Sequence, residues 1–79
     1  MTAAPLTPEA RAREIARLRK RAAELRSTGN DMHLDSASMS GAEAAEVRHA
    51  GIERMRAAER LFAQADRLEA AAATEKNDE

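Results

Sequence analysis

The chain has 79 residues, no cysteine, a single aromatic residue and a formal net charge of −1. That length admits one small domain. The lack of cysteine excludes disulfide staples and thiolate metal sites, and the balanced charge gives no overall field toward nucleic acid or membrane.

Alanine, glutamate and arginine dominate, and strand-forming residues are scarce. The expected class is therefore all-α with long helices. Wealth in Ala and Arg fits the GC-rich genome of a bacterium, phage or plasmid. No stretch is apolar and long enough to cross a bilayer, so the expected location is the cytoplasm, without a membrane partner.

Residues 1–6 read as a flexible tail. Thr7-Pro8-Glu9 then signals a helix start. Thr7 can cap, Pro8 suits the first helical position, and Glu9 favours the positive end of the helix dipole. The first helix is expected over about 8–28. Gly29, followed by Asn30 and Asp31, looks like a left-handed cap that ends it. Its apolar stripe is Ile15, Leu18, Ala22 and Leu25, a three-four-three spacing that forms the seam of a bundle.

A loop is expected over 29–40. It carries Met32, Leu34 and Met39, more apolar surface than solvent favours. Asp31, His33 and Asp35 alternate like the start of an EF-hand calcium loop. Ser36 stands where that loop needs glycine, and Glu43 falls one place late. A structural loop without metal is the expectation.

Ser40-Gly41-Ala42-Glu43 matches a capping box. The second helix is expected over about 41–73, followed by a disordered tail at 74–79. One face gathers Ala44, Val47, Ala50, Gly51, Met55, Ala58, Leu61, Phe62, Ala65, Leu68 and Ala72. Gly51 costs about 1 kcal/mol in a helix interior relative to alanine, and the close approach of another helix explains it best. Arg54 is the one charged residue near the centre of that face. It is expected to snorkel, or to pair with Glu14 or Glu43.

Residues 7–73 thus form an antiparallel hairpin of unequal helices. On those lengths the long helix overhangs the short one at Leu61, Phe62, Ala65, Leu68 and Ala72. An uncovered apolar end calls for a cover, and a second copy is the commonest kind. The expected assembly is a homodimeric four-helix bundle. Its interface is read as Ile15, Leu18, Leu25, Val47, Gly51, Met55, Ala58, Leu61, Phe62, Ala65 and Leu68.

No nucleophile–base pair and no Gly-rich phosphate loop is present in the sequence, so no enzymatic activity and no cofactor are expected. Glu46 and His49 have the Glu-x-x-His spacing of di-iron bundles, yet His49 points away from the apolar face. Two functions remain. The first is a protein-interaction module (adaptor, regulator or inhibitor) that acts as a homodimer on an unidentified protein. The second is a nucleic-acid-binding hairpin dimer. It would use Arg13, Arg17 and Lys20 on the outer face of the basic first helix, although no aromatic residue is there to stack bases. In outline such a dimer is similar to the Rop-type dimers of two-helix hairpins.

Overall fold

A computed structural model describes residues 7–77, with side chains through Thr74. The predicted tail at 1–6 lies outside the described residues, as do Asp78 and Glu79. The described residues form two helices: α1, Pro8–Ser36, and α2, Gly41–Asn77. They pack against each other as an all-α hairpin about 59 Å long and 16 Å thick. The length is that of the 37-residue α2 at 1.5 Å per residue. The thickness is that of one layer of helices, so both broad sides of the hairpin are open.

The start of α1 follows the sequence signals. The Thr7 hydroxyl accepts a hydrogen bond from the Ala10 amide at 3.1 Å, and Pro8 opens the helix. The end does not. α1 runs through Gly29 and stops only at Ser36, so the loop shrinks from 29–40 to the four residues 37–40. Asp31, His33 and Asp35 lie on a helix, which removes the calcium-loop resemblance. Amides of Ala37, Ser38 and Met39 each reach back three residues, to the carbonyls of Leu34, Asp35 and Ser36. This tightens the last turn and closes off carbonyls that would otherwise lack a donor.

α2 is entered through Gly41 at φ +71°, a conformation costly for any residue with a Cβ. The Ser40–Glu43 capping box does not form: neither side chain makes a hydrogen bond among the described residues. At its far end α2 stays helical to Asn77 rather than fraying at Thr74.

The seam between the helices is built from small residues at intervals of seven. On α1 these are Ala22, Gly29 and Ser36; on α2 they are Ala44, Gly51, Ala58 and Ala65. All seven are buried, with Ala22 and Ala65 at 0% exposure. A seven-residue repeat keeps one row facing a partner helix along its whole length. Leu18 is the one large side chain buried with them, at 2% exposure. Ser36 can join the row because its hydroxyl donates to the His33 carbonyl at 2.6 Å, and no buried side-chain polar atom is left unsatisfied among the described residues.

Gly29 is therefore a contact residue rather than a cap. It lies against Gly51, which confirms the close helix approach expected there and identifies α1 as the helix that approaches. That contact fixes the register. Pro8 lies 21 residues before Gly29, and the same count forward from Gly51 reaches Ala72. Leu61, Phe62, Ala65 and Leu68 are consequently flanked by α1. The predicted overhang over those residues is absent, because two extra turns of α1 shift the pairing.

Candidate interaction surface

Each helix presents one row on either side of its small-residue seam. The cross-helix contacts show which rows share a side. On the first side Arg19 reaches Glu69 at 3.1 Å and Asp66 at 3.4 Å. Two turns of α2 before Glu69, the Arg26 guanidinium sits 5.2 Å from the centre of the Phe62 ring, a cation–π distance. Met55 lies with Ala23, Arg26 and Asn30 around a shallow depression on this side. It is the arginine side, where ion pairs and a cation–π contact run beside the half-buried Met55 and Phe62. The carboxylate of Glu69, and then that of Asp66, raises the Arg19 pKa above its already high value, so the cation is permanent.

The opposite side is apolar. Stepping by seven from Leu18 along α1 gives Leu25 and Met32. The matching row of α2 is Val47, Arg54, Leu61 and Leu68, with Ala50 and Ala57 beside it. A depression lined by Glu14, one turn before Leu18, together with Gln64 and Leu68 spans the two helices on this side. Leu25, Met32, Val47, Ala50, Ala57, Leu61 and Leu68 are all half-buried. This is the leucine side. Arg54 interrupts it without an ion pair; its guanidinium donates to the Ala50 carbonyl one turn back, at 3.3 Å. It snorkels along its own helix, and the pairing with Glu14 or Glu43 does not occur.

The eleven residues read as an oligomer interface therefore fall into three groups. Leu18, Gly51, Ala58 and Ala65 are buried between the chain's own helices, so they cannot also meet a partner. Met55 and Phe62 belong to the arginine side. Leu25, Val47, Leu61 and Leu68 form the leucine side, while Ile15 is half-buried in line with Ala22 at the open end of the seam. Leu61 and Phe62 are neighbours in the chain yet lie on opposite sides of it.

The cations of α1 are largely engaged within the chain. Arg17 bonds Glu14 through Nε at 3.0 Å and through a second guanidinium nitrogen. That hydrogen bonding holds the Glu14 carboxyl below its usual pKa against a weaker opposing effect of burial. Arg21 pairs with Glu24 at 3.6 Å. With Arg19 and Arg26 turned to α2 and Arg11 also engaged, Arg13 and Lys20 are the α1 cations without a partner among the described residues. Of the three residues read as nucleic-acid contacts, Arg17 is already neutralised.

Glu46 and His49 are both exposed on α2, on the surface turned from α1. Exposed large apolar groups occur at the closed tip of the hairpin, where Leu34 is 61% and Met39 37% exposed. No described helix is long and apolar enough to cross a membrane. Comparison with family models, with curated proteins and with solved structures finds no match.

Proposed function

We propose that this chain is a non-catalytic protein-interaction module that works as a homodimer, with the leucine side as its self-association surface and the Leu34–Met39 tip as its contact for a target protein. One observation carries the reading. The hairpin buries small residues almost exclusively, and Leu25, Met32, Val47, Leu61 and Leu68 remain partly open along one side. Full burial of a leucine-sized side chain is worth about 1.5–3 kcal/mol, and a single layer of two helices leaves part of that unrealised. A second hairpin laid on the leucine side completes the burial and produces a four-helix bundle. The nucleic-acid alternative is weaker, since intramolecular pairing leaves Arg13 and Lys20 as the α1 cations free to meet phosphate.

Light scattering on a size-exclusion column tests the reading. The unaltered chain should elute at twice its chain mass, and Leu61→Asp should elute as a helical monomer. Phe62→Leu, a change on the arginine side, should leave the dimer intact. A Leu61→Asp protein that still dimerises would remove the leucine side from the interface.

A further inference from the structure

Along the outer edge of the leucine side, α2 carries Glu46, Glu53, Arg60 and Arg67, spaced by seven and all exposed. The row lies one helical turn from Ala50, Ala57 and Gln64, which border the apolar strip. Its charges are segregated: two acids toward the hairpin tip, two bases toward the open end. Glu53 is held by Arg56 at 3.3 Å, a weak exposed pair that leaves its second oxygen available. Among the described residues Glu46, Arg60 and Arg67 have no ion pair.

Such a row is self-complementary in one orientation. Laid parallel on its copy, α2 would set carboxylate against carboxylate and guanidinium against guanidinium. Laid antiparallel about a two-fold axis level with Ala57, it sets Glu46 against the partner's Arg67 and Glu53 against the partner's Arg60, twice over by symmetry. Small residues occupy the axis, where two helices must approach. We infer that the occupant of the leucine side is a second copy of this chain, docked with its α2 antiparallel to the first and held in register by these four cross-pairs. The inference rests on the homodimer proposed above and adds its orientation and register. Edge charges of this kind set partner choice and alignment more than raw affinity.

The test uses two double variants of the full chain. E46R/E53R carries four guanidiniums in the row, and R60E/R67E carries four carboxylates. Each alone should dissociate at least about tenfold more readily than the unaltered chain at low salt. Mixed one to one, the two should form a heterodimer at least as tight as the original. All four positions are exposed, so helicity should survive, which circular dichroism checks. A second measurement avoids charge altogether. The natural chain has no cysteine, so Ala57→Cys should oxidise rapidly to a disulfide-linked dimer across the axis, whereas Ala45→Cys, on the arginine side, should not. If each charge variant associates as tightly as the unaltered chain, and the mixture gains nothing, the register is overturned while the homodimer stands. Faster cross-linking at Ala45 than at Ala57 overturns it likewise. An unaltered chain that stays monomeric overturns both.

Discussion

Gly29 of α1 and Gly51 of α2 meet backbone to backbone. A Cβ built on Gly29 stands 2.7 Å from the Gly51 carbonyl oxygen, and one built on Gly51 stands 2.8 Å from the Gly29 carbonyl oxygen. Neither obstacle is a flexible side chain that can swing aside, so any Cβ must push the helices apart. In an open helix interior, Gly→Ala stabilises by about 1 kcal/mol. Here Gly29→Ala and Gly51→Ala should each destabilise, by about 1–3 kcal/mol as overpacking does. Thermal unfolding reads the sign directly, and a raised midpoint in either variant contradicts the crossing.

The register set by that crossing predicts the behaviour of Arg19. Glu69 and Asp66 flank its guanidinium across the seam. Arg19→Glu should lower the midpoint at low salt, and added salt should shrink the difference, because exposed charges are screened. A midpoint insensitive to the reversal at every salt concentration would mean that Arg19 does not lie beside that stretch of α2.

Acid should weaken the protein at Glu14. Hydrogen bonding from Arg17 lowers its folded-state pKa below the ordinary 4.5. A depressed carboxyl pKa contributes stability that is present above the unfolded value and is lost as pH falls through the folded one. Glu14→Gln should therefore be less stable than the unaltered chain near neutrality and converge with it as pH falls below 4.5 and through the lowered folded-state value. Urea titrations at several pH values measure the gap, and a gap that widens in acid contradicts the assignment.

Core and tip should respond differently to truncation. Leu18 is 2% exposed and Leu34 is 61% exposed. Leu18→Ala should cost about 2–5 kcal/mol, whereas Leu34→Ser should change stability by no more than about 0.5 kcal/mol. Equal losses in chemical denaturation would mean that the tip is packed, which removes it as a contact surface.

Much of this fold was legible in the sequence. The Thr7–Pro8 start follows from local chemistry, α2 begins where it was expected although the capping box read there does not form, and the glycine in the middle of α2 marked the tight approach at Gly51. The end of α1 misleads because Gly29-Asn30-Asp31 has the local preference of a helix stop, and packing against α2 overrides it. A longer-range signal was present. Ile15, Leu18, Ala22, Leu25, Gly29, Met32, Ser36 and Met39 keep alternating three and four without a break, so the bundle seam runs straight through the supposed loop. Reading Gly29 as a stop shortened α1 and produced an overhang that does not exist. The Glu46–Arg67 row was equally visible at its spacing of seven. Its meaning depends on knowing which side of α2 is open, and the cross-helix contacts of Arg19 and Arg26 supply that.

Self-association through the leucine side is the central claim, and sedimentation equilibrium of the unaltered full chain over a range of micromolar concentrations tests it most directly. A single helical species of twice the chain mass, dissociating to a less stable monomer on dilution, is the predicted result. A folded monomer with an unchanged unfolding midpoint at every concentration would contradict it.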